Sequence, residues 1–149
     1  MIKKISYLIF KLISLLNFIF EKFFRKNFLI YFKEFLEESS YQTINICDKK
    51  VSFFVPNFIT KWRVDTFYSK EPETIEWIDG FTNDKIIFWD IGANIGLYSI
   101  YAACKFQNIE VIAFEPSTSN LRILSRNISN NNLSDKIKIN PFPLTNKNN

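Results

Sequence analysis

Apolar side chains dominate the first 38 residues, and neither glycine nor proline interrupts them. Ile5, Leu8, Ile9, Leu12, Ile13, Leu16, Ile19, Phe20 and Phe23 recur at helical spacing, which predicts one amphipathic helix over 1–38. On a helical wheel Lys3, Lys4, Lys11, Glu21, Lys22 and Arg25 fall within an arc of about 100°, a narrow basic ridge beside a wide apolar surface. The longest uncharged run, Leu12 to Phe20, is nine residues, well short of the ~20 that span a bilayer. Three readings of this segment stay open. The helix lies in a membrane interface with lysine stems reaching anionic headgroups, it packs on the domain or a partner subunit, or it is a single-pass anchor in which Lys11 snorkels. Lys11 and the lack of a small-residue cleavage site argue against a signal peptide.

After Glu37-Glu38-Ser39-Ser40 the period drops to two. Ile44 and Ile46, then Val51, Phe53 and Val55, alternate around the polar corner Asp48-Lys49-Lys50, the pattern of a β-hairpin that Pro56 ends. A helix is expected from near Lys70 through Ile78, with Pro72 in its first turn and Gly80 as its stop. Glu71 and Glu73 either complement the positive start of that helix or form the lip of an active site. Residues 41–80 thus read as a hairpin-plus-helix extension.

The short apolar run Ile86-Ile87-Phe88-Trp89 predicts a buried parallel strand. Asp90-Ile91-Gly92-Ala93-Asn94-Ile95-Gly96-Leu97-Tyr98-Ser99 follows, with two of the chain's three glycines, and opens a helix that runs to about Lys105. Val111-Ile112-Ala113-Phe114 forms a second strand that ends at Glu115-Pro116. A helix with Leu121, Ile123, Leu124 and Ile128 inward comes next, then a third strand at Ile137-Lys138-Ile139. Strand, glycine turn, helix, strand and acid make a nucleotide-binding α/β unit over 81–149.

Each part of that unit has a chemical job. Gly92 permits a tight turn and close ligand approach, and Gly96 permits close packing of helix on strand. Glu115 follows Gly92 by 23 residues and stands where an acid can accept hydrogen bonds from ribose hydroxyls. Asp90 ends the first strand and faces the same crevice. A dinucleotide fingerprint needs glycine at the positions of Asn94 and Leu97, which disfavours NAD(P) and an oxidoreductase. An acid ahead of a loop without Lys or Arg favours a cationic ligand with a ribose and no phosphate. S-adenosylmethionine fits that description; a glycine turn in some other α/β protein is the bland alternative.

Composition narrows the chemistry further. The 149 residues are 47% hydrophobic and 23% charged, which suits one globular domain rather than a disordered chain. There is no histidine, so imidazole bases, histidine metal sites and serine–histidine triads are excluded. Cys47 and Cys104 lack metal-ligand spacing and read as buried thiols, and no metal site is expected. The net charge of +4 comes from lysines set among aliphatics, and four of the 19 cations are Arg, which speaks against a nucleic-acid partner.

Phe88–Ser99, Phe114-Glu115-Pro116-Ser117, Asn127-Ile128 and Asn131 together resemble the FkbM family of S-adenosylmethionine-dependent methyltransferases, and Lys70–Thr74 resembles the segment ahead of its first motif. The resemblance covers roughly Lys70 to Leu144. It implies a Rossmann-like class I methyltransferase fold that methylates a hydroxyl of a sugar, polysaccharide or secondary metabolite. It further implies that Asp90, Gly92, Ala93, Asn94 and Gly96 cradle the methionine part, that Glu115 holds the ribose, and that Pro116 lies near the adenine. No residue is assigned as catalytic base. A full domain of this family has seven strands, and residues for strands four to seven would follow position 149. The expectation is therefore an incomplete fold of three parallel strands, from a longer enzyme, a truncated frame or a degenerate copy. The first strand then has an open apolar edge that invites self-association. A non-catalytic cofactor-binding remnant or pairing module is the alternative. The expected location is cytoplasmic, peripheral at the inner membrane face.

Overall fold

The computed structural model describes residues 1–82 and 84–144; Asn83 and residues 145–149 of the polar tail lie outside the described residues. The chain divides into two compact units, Met1–Ser40 and Tyr41 onward.

In the first unit, the single helix expected over 1–38 is two helices, α1 (Ile2–Phe24) and α2 (Leu29–Glu38). The break needs no glycine or proline. Arg25 takes the left-handed conformation (φ 52°) and its N–H donates to the Glu21 carbonyl at 2.8 Å, closing α1. Asn17, eleven residues earlier, supplies the start of α2. Its Oδ1 accepts the N–H groups of Phe28 (3.0 Å) and Leu29 (3.1 Å), donors that the first turn of a helix cannot satisfy internally. Asn17 is the one buried residue of α1. Most other apolar side chains of both helices are exposed. Among the described residues no helix is long and apolar enough to cross a membrane.

The second unit begins with the expected hairpin, β1 (Tyr41–Ile46) and β2 (Lys49–Phe54), antiparallel with Ile44 opposite Val51. Its corner is Cys47-Asp48, both at positive φ (47° and 62°), as a two-residue turn of right-handed strand twist requires. Lys49 and Lys50 belong to β2. Cys47 is therefore exposed at a turn rather than buried, whereas Cys104 is buried as expected. Two helices that the sequence pattern did not show follow: α3 (Phe58–Asp65) and the short α4 (Phe67–Lys70). A reciprocal capping box starts α3, with Asn57 Oδ1 accepting from the Thr60 N–H and Thr60 Oγ1 from the Asn57 N–H. α5 (Pro72–Asp79) begins at Pro72 as expected, but Gly80 beyond it has ordinary helical φ (−77°), so the stop does not depend on glycine's freedom.

β3 (Ile86–Ile91), α6 (Leu97–Lys105), β4 (Ile109–Phe114), α7 (Thr118–Asn130) and β5 (Ile137–Asn140) complete the unit. The strands form a parallel sheet in the order β3-β4-β5, with Phe88 beside Val111 and Val111 beside Ile137. Ile46, Phe53, Phe54, Val64, Phe67 and Ile78 share one buried cluster with Phe88, Ile100, Val111 and Leu124. Segments 41–80 and 81–149 therefore share a single core. β3 was expected to be buried on both faces. Instead Ile86, Phe88 and Asp90 point into the core, while Ile87, Trp89 and Ile91 are 60%, 54% and 64% exposed, because one face of the sheet is uncovered.

The free edge of β2 is closed by side chains of α7 and of Asn131, the residue that caps the end of that helix. Asn127 Oδ1 accepts the Phe54 N–H at 2.7 Å. Asn131 accepts the Ser52 N–H (2.9 Å) and donates to the Ser52 carbonyl (2.8 Å). These asparagines replace the neighbouring strand that the hairpin lacks.

Candidate functional site

The loop from Gly92 to Gly96 joins β3 to α6 at the carboxyl end of the sheet. The N–H groups of Gly92 and Ala93 both donate to the Phe114 carbonyl at 2.9 Å, which folds the loop over the end of β4. Three of its residues have left-handed backbones: Gly92 (φ 78°), Asn94 (55°) and Gly96 (86°). A Cβ on Gly92 would meet nothing within 4 Å, so only its backbone angle calls for glycine, and the space beside it stays open. Gly96 is confined differently from expectation. A Cβ there would stand 2.5 Å from Leu124 Cδ1, so this glycine admits α7 against the loop rather than a helix against a strand.

Glu115 is 5% exposed. Its Oε2 accepts the Asn94 N–H and its Oε1 the Ser117 N–H, both at 2.8 Å. One carboxylate thus ties the loop to the turn after β4. An ionised carboxylate has about four acceptor positions, so both oxygens keep capacity for a further donor. Asp90, 8% exposed, points from β3 toward α6 and accepts the Ser99 hydroxyl at 2.5 Å. Burial pushes its carboxyl above the usual aspartate range, the Ser99 hydrogen bonds pull it down, and the charge of Glu115 adds to the rise. The two acids end neighbouring strands, Asp90 within β3 and Glu115 directly after β4.

In front of the loop is a cavity lined by Gly92, Ala93 and Asn94 together with Arg63, Lys70, Glu71, Phe67 and Tyr98. Asp90, Gly96, Glu115 and Pro116 do not line it; the two acids and Gly96 shape the loop from behind, and Pro116 stands beyond β4. Arg63, from α3, donates from Nη1 to Asn94 Oδ1 at 2.6 Å. The sequence reading missed Arg63 because it missed α3; Asn57 three residues ahead of Thr60 was the available signal. Glu71 sits at the cavity lip, one of the two places offered for it, where Lys70 pairs with its Oε1 at 2.9 Å and the Tyr98 hydroxyl donates to its Oε2 at 3.0 Å. Those hydrogen bonds, from Lys70 and then Tyr98, hold its carboxyl below the usual glutamate range. Burial, and then the bond to Glu71, push the Tyr98 phenol up.

Behind the loop, Asn127 Nδ2 donates to the Ile95 carbonyl at 2.8 Å, so the residue that closes β2 also fixes the loop. At the opposite end of α6, Lys136 Nζ donates to the carbonyls of Ala103 (3.0 Å) and Phe106 (2.8 Å) and Lys49 Nζ to that of Cys104 (3.1 Å). The chemistry open to this arrangement is binding of a small polar ligand with an anionic end near Arg63 and Lys70.

No protein-family profile matches the chain. The methyltransferase sdnD of Sordaria araneosa is 41% identical over 49 residues, 33% of this chain and 19% of that protein. TYW2 of P. horikoshii, crystallised with MeSAdo, superposes with a TM-score of 0.48 at 18% identity, over 70% of this chain and 36% of that one. A tRNA (uracil-54, C5)-methyltransferase of Pyrococcus abyssi, bound to S-adenosyl-L-homocysteine, gives 0.44 at 18% identity over 68% and 24%. The chain spans about a fifth of the curated relative and about a third of TYW2. The architecture is α/β, with a parallel three-stranded sheet in the order β3-β4-β5.

Proposed function

We propose that this chain carries the cofactor half of an S-adenosylmethionine-dependent methyltransferase acting on a hydroxyl of a sugar, polysaccharide or other small molecule. The observation that carries the reading is the pair of buried acids at adjacent strand ends around a glycine loop that itself has no cation. Gly92 leaves backbone exposed to the ligand, Arg63 and Lys70 meet the amino-acid carboxylate, and Glu115 holds the loop in its binding shape through the Asn94 N–H. Asn94 favours this cofactor over a dinucleotide. Its backbone adopts a positive φ like glycine, but its side chain is held by Arg63 where a pyrophosphate would need bare backbone.

The cofactor supplies an electrophilic methyl group on a sulfonium. The residues of this chain contribute positioning, which accounts for much of the rate in such transfers. A hydroxyl acceptor also needs a proton acceptor. Glu71 is engaged by Lys70 and Tyr98, and Asp90 by Ser99, so neither is assigned that role. The glycan-type acceptor and the FkbM relationship rest on the motif residues Phe88–Ser99 and Phe114–Ser117.

Calorimetric titration with S-adenosylhomocysteine tests the reading. One-to-one binding is expected, weakened about tenfold or more by Glu115→Ala in a sample whose circular dichroism is unchanged. Arg63→Ala should weaken S-adenosylhomocysteine but not 5′-methylthioadenosine, which lacks the amino-acid end. No binding by folded protein, or NADH fluorescence changes at micromolar levels, would overturn it. Methyl incorporation into RNA rather than into hydroxylated glycans would retain the cofactor and replace the acceptor. Binding without transfer to any acceptor would favour the second reading, a cofactor-binding or pairing module, which the uncovered face at Ile87, Trp89 and Ile91 supports.

A further inference from the structure

The unit Met1–Ser40 carries a surface that methyl transfer does not use. α2 covers only one flank of α1, the flank where Asn17 caps it and where Phe10 and Ile13 line a shared groove. The neighbouring flank stays bare. Leu8, Leu12, Leu16, Ile19 and Phe23 occupy it, each at least 43% exposed. Beside that arc runs the ridge of Lys3, Lys4, Lys11, Lys22 and Arg25, all exposed, with Glu21 as its one carboxylate.

Two features of this surface choose its occupant. The cations are spread along the whole length of α1, at its start, middle and end. Threading the helix across a bilayer would carry Lys11 through the hydrocarbon, whereas laying it flat leaves every ridge ammonium at headgroup depth. A second copy of the chain would bring two like-charged ridges together, which costs affinity. We infer that α1 lies lengthwise on an anionic lipid surface, with the Leu8–Phe23 arc in the headgroup–acyl boundary and the ridge at the lipid phosphates. α2, fixed by Asn17, rides beside it. This inference stands independently of the cofactor reading.

Co-sedimentation of the full chain with phosphatidylcholine–phosphatidylserine vesicles, and with phosphatidylcholine vesicles alone, decides it. Each ridge cation is worth about fivefold in partitioning onto an anionic surface. The variant Lys3→Gln/Lys4→Gln/Lys11→Gln, changed only at exposed positions, should therefore bind anionic vesicles about 100-fold more weakly, with little change on neutral ones. Raising the salt should reduce wild-type binding to anionic vesicles in the same direction. Leu12→Asn/Leu16→Asn should lower partitioning onto both vesicle types. Full chain that stays in the supernatant with anionic vesicles, or a triple variant that binds them as the wild type does, overturns the inference. So does a concentration-dependent dimer in vesicle-free solution that does not sediment with lipid. Titration of the same samples with S-adenosylhomocysteine reports the other unit separately.

Discussion

Asp90 and Glu115 are both buried acids, yet their surroundings treat them differently. Glu115 receives two backbone N–H groups from two different segments, while Asp90 is held by Ser99 alone, through its hydroxyl and its backbone. Burial raises the folded pKa of Asp90 above its unfolded value. The unfolded chain then releases this proton first as pH rises, so the folded state binds more protons across that window and stability falls with increasing pH there. Asp90→Asn keeps an acceptor for Ser99 and removes the ionisation. Denaturant melts of the two proteins should converge at acid pH and separate in favour of the variant above the usual aspartate range; parallel curves would show that Asp90 ionises without cost. At this scale the loop was legible, because Gly92, Ala93 and Asn94, which line the cavity, follow a strand end at a fixed offset, whereas Asp90, Gly96, Glu115 and Pro116 do not line it. Asn17 and Arg63 were not legible, since their partners Phe28, Leu29 and Asn94 are fixed only by tertiary structure.

Among the elements, α7 does the most joining. Asn127 holds the Phe54 N–H of the hairpin and the Ile95 carbonyl of the glycine loop through a single side-chain amide. Asn127→Ala leaves a buried donor and a buried acceptor unpaired, at about 1–3 kcal/mol each. Urea unfolding should show a loss of about 2–6 kcal/mol, with Asn131→Ala costing less because its site is only part-buried. The hairpin and the strand–loop–helix core were readable from alternation and from glycine placement. α3 was not, because its apolar residues do not mark one face: Phe58 and Ile59 are exposed, while Thr60 and Val64 are buried. Its start signal was polar and local. The division of the first 38 residues into α1 and α2 was hidden for the opposite reason, since apolar periodicity runs straight through a break made by an arginine backbone and a distant amide.

For the whole molecule, the open side of the sheet is the dominant surface feature of the second unit. β3 stands at an edge of the sheet order and shows Ile87, Trp89 and Ile91 on the uncovered face, with the Trp89 and Phe114 rings 5.4 Å apart. An apolar face with an unpaired edge is a template for association. Sedimentation velocity on a chain lacking residues 1–40 should show concentration-dependent self-association, weakened at least about tenfold by Ile87→Lys/Ile91→Lys through like-charge repulsion. Monomeric wild type at all concentrations would show that this face tolerates water.

The lysines at the far end of α6 bear on how a ligand approaches the near end. A helix carries about half a positive charge at its start and half a negative charge at its finish. Lys49 and Lys136, arriving from β2 and from the turn before β5, place two ammonium groups on the finishing carbonyls. The negative pole is neutralised by these ammonium groups, while the first turn of α6 is already engaged by Asp90, which accepts hydrogen bonds from Ser99. The polarity offered to a ligand at the near end is then set by the cavity's own Arg63 and Lys70 rather than by the helix start.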